Sequence, residues 1–114
     1  MNLKSNYLVE QDVLNFIDEK NKKINISGII IESINKKWNR EKCGMAAAFM
    51  ARVAWNFTAD KTNLIRLLHK TMNKLNEEYK GNQAVENRSS FFEHYLLKTL
   101  NLLMDAQQRS RKND

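Results

Sequence analysis

The stretch INISGIIIESINKKW, residues 24–38, is the part of the sequence that decides most about the fold. Its apolar residues recur at the spacing of one helix face, which comprises Ile30, Ile31, Ile34 and Trp38. Ser27 stands just before this face, and its hydroxyl can accept a hydrogen bond from a free N–H of the first helical turn. The pattern predicts a helix that is opened by Ser27 and runs to about Lys42.

The same periodicity indicates helices on both sides of this stretch. Upstream, Val13, Phe16 and Ile17 predict a helix over residues 12–23. Downstream, Gly44 is interpreted as a break, after which residues 45–57 form a helix whose alanine run allows a close helix approach.

Two further helices are predicted in the second half of the chain. The first follows a cap at Thr58 or Asp60 and carries a heptad-like apolar seam, formed by Ile65, Leu68, Met72, Leu75 and Tyr79. Residues 80–83 form the clearest break. The last helix is predicted to begin at Ser90, which has a capping-box spacing to Glu93, and residues 107–114 are predicted to fray.

Composition supports a mainly α fold. The chain has 114 residues, no proline and three glycines, whereas sandwiches and barrels need many turns that draw on both residue types. The longest apolar run, residues 45–51, is far shorter than the roughly 20 residues of a membrane span, and residues 1–9 lack the apolar core of a secretory signal. Cys43 is the single cysteine, which excludes an internal disulfide and favours a cytoplasmic location.

The residues that usually carry catalysis or bind metals are sparse. His69, His94 and Cys43 are scattered, whereas a structural zinc site usually takes four Cys or His ligands. No glycine-rich phosphate loop is present. The sequence therefore predicts a protein that is not an enzyme, with no metal and no cofactor. The formal net charge of +6 fits a nucleic-acid partner, although a solubility role explains it as well.

Residues 4–34 resemble a ribbon-helix-helix DNA-binding motif, in which a short strand is followed by two helices. The closest resemblance is to the Ccd-type plasmid antitoxins. The run Lys4-Ser5-Asn6-Tyr7-Leu8-Val9 stands where their ribbon strand lies, and Asn25-Ile26-Ser27-Gly28-Ile29 is similar to the run that opens their second helix.

The resemblance implies a dimer whose two strands pair and enter the major groove. Lys4, Asn6 and Leu8 would then face the DNA bases. The N-terminus of the second helix would hold a phosphate through Asn25, Ser27 and Gly28. The residues predicted to form oligomer interfaces are Tyr7, Val9, Ile31, Ile34, Trp38, Leu68, Met72 and Leu75.

The predicted organisation is a ribbon-helix-helix module at 1–43, a helical oligomerisation or partner-binding region at 44–108, and a frayed basic tail at 109–114. This layout is similar to that of plasmid relaxosome accessory proteins. The first function hypothesis is a sequence-specific DNA-binding protein, either a transcriptional repressor or a relaxosome component, which forms a dimer or tetramer, binds double-stranded DNA and has no membrane partner. The alternative is an all-helical bacterial or phage adaptor or chaperone-like protein that binds no DNA, with residues 1–10 as helix or coil and residues 11–42 as a helical hairpin.

Overall fold

The computed structural model of the chain describes residues 11–58 and 60–113. A helical turn at 11–14, α1, leads into a hairpin of β1 (Ile17–Asp18) and β2 (Lys23–Ile24). Four longer helices follow: α2 (Ile26–Asn35), α3 (Arg40–Phe57), α4 (Lys61–Glu78) and α5 (Gln83–Asn113). The prediction of a mainly α fold is confirmed.

The helix predicted over residues 12–23 is wrong beyond Leu14, because the chain turns back on itself there. The backbone N–H of Phe16 donates to the carbonyl of Val13 at 2.8 Å, and the two short strands then pair antiparallel, with Ile17 opposite Ile24. β-branched residues fit a pleated strand better than a helix interior. The apolar spacing that suggested a helix face is instead used by a hairpin that covers the core.

The hairpin turn is held by local hydrogen bonds that compete with helix formation. The side-chain amide and backbone N–H of Asn21 both donate to the carboxylate of Asp18, at 2.7 and 3.2 Å. These bonds, chiefly the one from the Asn21 side chain, hold the pKa of the Asp18 carboxyl below its ordinary value. Lys22 has a φ of 53°, in the left-handed region that allows the chain to reverse.

The cap of α2 lies two residues before the predicted position. Asn25, not Ser27, is the N-cap residue, and its side-chain oxygen accepts from the N–H of Gly28 at 2.9 Å. Gly28 lies where the hairpin crosses the helix. A Cβ at this position would lie 2.6 Å from Asn25 Nδ2 and 2.8 Å from Phe16 Cδ1, so only glycine allows this close approach.

We expect Asn25→Ala to lower the free energy of unfolding by about 0.5–2 kcal/mol, because the capping acceptor is lost. Ser27→Ala is the matched control, since Ser27 lies inside the first turn, and we expect a clearly smaller loss. Urea unfolding followed by circular dichroism measures both. A loss for Ser27→Ala that equals or exceeds that for Asn25→Ala would contradict the assignment of the cap.

The chain between α2 and α3 breaks earlier than predicted. α2 ends at Asn35 rather than near Lys42, and Lys37 adopts a left-handed φ of 53°. Asn39 then caps α3, accepting from the N–H of Lys42 at 2.8 Å. An Asn-type cap competes with helix continuation at this point, and the periodicity of the apolar residues could not reveal it.

Gly44 does not separate two helices, and that prediction is wrong. It lies inside α3, facing the ring of Tyr95 on α5, and a Cβ there would be 3.6 Å from Tyr95 Cε1. α3 therefore runs without interruption across the boundary predicted between residues 43 and 44.

The start of α4 is confirmed, and that of α5 is corrected. Asp60 caps α4 by accepting from the N–H of Asn63 at 3.2 Å. The break predicted at 80–83 is present, with Gly81 at a φ of 85°. α5 begins at Gln83, so Ser90 and Glu93 lie within the helix and form no capping box. The helix also continues to Asn113, through residues predicted to fray.

The buried apolar residues of the described chain form one cluster that extends from Val13 to Leu100. The most extensive contact between its helices is that of α3 with α5. Four small side chains of α3 are buried in the fold, namely Ala46, Ala47, Ala51 and Ala54. Phe92 on α5 is 0% exposed in this cluster. None of the helices within the described ranges is long and apolar enough to cross a membrane.

Candidate nucleic-acid interface

The residues predicted to read DNA bases lie outside the described part of the chain. These are Lys4, Asn6 and Leu8, and the predicted ribbon-interface residues Tyr7 and Val9 lie there as well. The ribbon strand and the ribbon-helix-helix motif therefore stay predictions.

The predicted phosphate-binding residues Asn25, Ser27 and Gly28 lie together at the N-terminus of α2. Asn25 is exposed, whereas Ser27 and Gly28 are half-buried beneath the hairpin. The N–H of Gly28 already donates to the Asn25 side chain, so Gly28 can bind a phosphate only if the cap is displaced. The helix start is accordingly a weaker anion site than its sequence indicates.

Most of the residues assigned to oligomer interfaces pack inside this chain. Leu68, Met72 and Leu75 are 3, 2 and 2% exposed and belong to the core cluster, so in this fold they are core residues of a single chain. Trp38 is buried too. Ile31 and Ile34 are half-buried and pack against the core from its edge.

A group of basic residues lies where α3 begins and α5 passes beside it. We call this the basic pocket, a cavity of about 330 Å³ lined by Trp38, Asn39, Arg40, Asn87, Arg88 and Phe91. The site residues predicted from the sequence include only Trp38 of this lining, and as an interface residue. The run Lys36-Lys37-Trp38-Asn39-Arg40 could have indicated the pocket, but only the tertiary structure brings Arg88 to the same place.

Arg88 is fixed by contacts with the other side of the pocket. Its Nη1 donates to the backbone carbonyl of Trp38 at 2.8 Å and to Cys43 Sγ at 2.6 Å. The Arg88 side chain is half-buried and Cys43 is 0% exposed. The guanidinium group is thus held in one orientation, and its position does not depend on a bound ligand.

Arg40 supplies the second guanidinium group of the basic pocket. It is exposed, and its guanidinium carbon lies 5.8 Å from the centre of the Phe91 ring. The structure shows no carboxylate within ion-pair distance of Arg40 or Arg88 in the described part of the chain. Among the described residues, no carboxylate therefore competes with an anion for either charge.

The N-terminus of α3 adds a third favourable element. Asn39 caps only the N–H of Lys42, so the N–H groups of Arg40 and Glu41 have no partner within the helix. The helix dipole favours an anion at this end, although the Glu41 carboxylate in the first turn partly opposes it.

A lysine near the basic pocket, Lys42, is not among its lining residues and is already engaged. Lys42 Nζ lies 2.6 Å from the carboxylate of Asp12 and 4.6 Å from the centre of the Trp38 ring. Its charge is shared with Asp12, so the net positive charge of the pocket comes from the two arginines.

The histidines and the cysteine are not brought together. His69 Nδ1 lies 3.7 Å from the Glu93 carboxylate, and His94 packs edge-on against Tyr95 at 5.2 Å between ring centres. In residues 11–58 and 60–113, no three His, Cys, Asp or Glu side chains lie close enough to hold a metal ion.

Comparison of the chain with protein-family models, with curated proteins and with solved structures finds no match.

Proposed function

We propose that this protein binds double-stranded DNA and that the basic pocket holds a backbone phosphate. The observation that carries this proposal is the convergence of Arg40, Arg88 and the N-terminus of α3 on one cavity. Each of these elements favours an anion, and together they would surround one phosphate from several sides.

Guanidinium groups suit this role because their planar set of donors matches the oxygens of a phosphate. Free N–H groups at a helix start add further donors and a favourable dipole. Arg88 is already oriented by Trp38 and Cys43, so little side-chain entropy is lost when it binds. The net charge of +6 supports the same class of partner through long-range attraction.

We further propose that the protein recognises a particular DNA sequence. Lys4 and Asn6 would read base edges in the major groove, as the ribbon-helix-helix resemblance implies, while the basic pocket positions the DNA backbone. The protein would then act as a transcriptional repressor or as a relaxosome accessory protein.

The decisive experiment compares Arg40→Ala with Arg52→Ala in a salt titration of DNA binding. Both arginines are exposed residues of α3, but only Arg40 lines the basic pocket. Loss of one phosphate contact makes the negative slope of log affinity against log salt shallower by about 0.9. We expect that change for Arg40→Ala and none for Arg52→Ala. Equal effects of the two substitutions would assign the binding to diffuse charge and contradict a phosphate site at the pocket.

Asn6→Ala tests the specific part separately. We expect a loss of about 1–3 kcal/mol on a selected site and almost none on random duplex, because base-edge contacts carry discrimination. Arg40→Ala should weaken binding to both duplexes alike. Wild-type binding that is weak, equal on both and absent near physiological salt would contradict the DNA-binding proposal.

The second candidate is a helical interaction protein that binds no DNA. The hairpin at residues 17–24 does not discriminate between the two candidates, because the ribbon-helix-helix resemblance and the all-helical alternative both imply a helix there. The burial of Leu68, Met72 and Leu75 within one chain favours the second candidate, since the predicted oligomer seam is used internally. Absence of specific DNA binding in the titration above would support this candidate.

A further inference from the structure

A second cavity lies on the chain away from the lining residues of the basic pocket. We call it the apolar groove. It has a volume of about 460 Å³ and is lined by the hairpin, the first residue of α2, the C-terminal part of α3, α4 and α5. Its apolar walls include Ala51, Ala54, Phe57, Leu64, Leu67 and Leu100. The volume falls within the range of small-molecule sites, roughly 300–1,000 Å³.

The accessible apolar surface of the groove comes from its larger side chains. Ala51 and Ala54 are 1% and 7% exposed and close its floor, whereas Phe57 and Leu64 are half-buried. Leu67 stands on the wall and is 49% exposed, which is unusual for a large apolar side chain in this protein.

The charged residues that line the groove are both basic. Lys22 and Lys23 are exposed, and no acidic residue is among the lining side chains. Asp18 lies opposite Lys23 in the hairpin and stays outside the lining, and its carboxylate, which accepts from Asn21, offsets part of the charge of Lys23. An occupant with an apolar body and an anionic end would therefore find complementary partners at both ends.

We propose that the apolar groove binds a free single-chain carboxylate of the fatty-acid class. The alkyl chain lies against Phe57, Leu64 and Leu67, the lining side chains that keep accessible surface, and the carboxylate lies between Lys22 and Lys23. This site is separate from the basic pocket, because the two cavities share no lining residue. The inference does not depend on DNA binding.

Chain length and head group test the chemistry of the site. Octanoate, decanoate and dodecanoate, all kept below their micelle concentrations, are titrated into the full chain by calorimetry. Each added methylene that enters the groove should tighten binding roughly fourfold. Decyltrimethylammonium has a comparable chain and the opposite charge, and it should bind more weakly than decanoate. Equal affinity of these two probes, or no dependence on chain length, would overturn the proposal.

Two exposed leucines provide a matched pair of variants for locating the site. Leu67 lines the groove, whereas Leu102 is 57% exposed on α5 and lies outside it. Leu67→Glu places a carboxylate beside the ligand and should weaken decanoate binding at least tenfold, while Leu102→Glu should leave it unchanged. Leu67→Gln, with circular dichroism as a folding check, separates charge repulsion from loss of structure. Equal effects at positions 67 and 102 would contradict the assignment of the groove.

Phosphatidylglycerol vesicles test whether the alkyl chain in the groove belongs to a free carboxylate or to a membrane lipid. A site for free carboxylates predicts that decanoate binds without vesicles and that its affinity falls with Leu67→Glu. Binding to vesicles in the absence of any decanoate binding would instead assign the groove to a membrane surface and overturn the proposal.

Discussion

Phe92→Ala is expected to lower the free energy of unfolding by about 3–5 kcal/mol, the largest single effect we expect in this chain. Phe92 is 0% exposed and lies on α5, whose main contact is with α3. Removing the ring takes away its transfer free energy and leaves a cavity that the surrounding helices cannot fully close. Small domains have only about 5–15 kcal/mol of stability in total, so the variant should be close to unfolding at 37 °C.

Phe91→Ala is the matched control for this experiment. Phe91 is adjacent in the sequence but only half-buried, and it contacts Tyr95 at 4.8 Å between ring centres. We expect a clearly smaller loss, measured by urea unfolding at one protein concentration. Equal losses in the free energy of unfolding would contradict the finding that α5 buries Phe92 and leaves Phe91 half-buried.

Leu75→Ala is expected to cost about 2–5 kcal/mol, and the loss should not depend on protein concentration. Leu75 is 2% exposed inside a single chain, although its place in a heptad-like seam suggested an interface between chains. A residue in an intermolecular interface would give a stability that rises with protein concentration, because association adds to the free energy of unfolding. A core residue would not.

The exposed Leu67 on the same helix is the control for Leu75. Leu67→Ala should change stability by much less, because half of the side chain is already in water. Light scattering of both variants gives the second readout. A change in oligomer size for Leu75→Ala, with unfolding midpoints that shift with concentration, would assign the seam to an interface after all.

The class of the fold could be predicted from composition and periodicity. The absence of proline and the spacing of Leu68, Met72 and Leu75 indicated helices, and the cap at Asp60 was among the predicted start signals. These features are local, because a helix face and a capping side chain depend only on residues a few positions apart. The break near Gly81 was visible for the same reason.

The hairpin at residues 17–24 could not be predicted by the same signals. Val13, Phe16 and Ile17 satisfy a helical spacing, yet Asp18 and Asn21 form a turn that reverses the chain. Short apolar runs fit either structure, and packing on the core decides between them. The close approach of Phe16 to Gly28 shows this packing directly.

The basic pocket illustrates the same limit for function. Arg40 stands in a visibly basic run, but Arg88 lies far along the chain and reaches Trp38 and Cys43 only because α5 packs against α3. The sequence alone does not show that residues so far apart along the chain lie close together in space.

The sequence by itself determined that this chain is helical, basic and built around amphipathic segments, because these properties arise from neighbouring residues. Only the tertiary structure decided which apolar faces meet and which stay exposed. It buried Leu75, left Leu67 at the edge of a groove, and placed Arg40 and Arg88 around one cavity. The reason is physical: side chains compete for one core of limited volume, and the outcome depends on all the helices together.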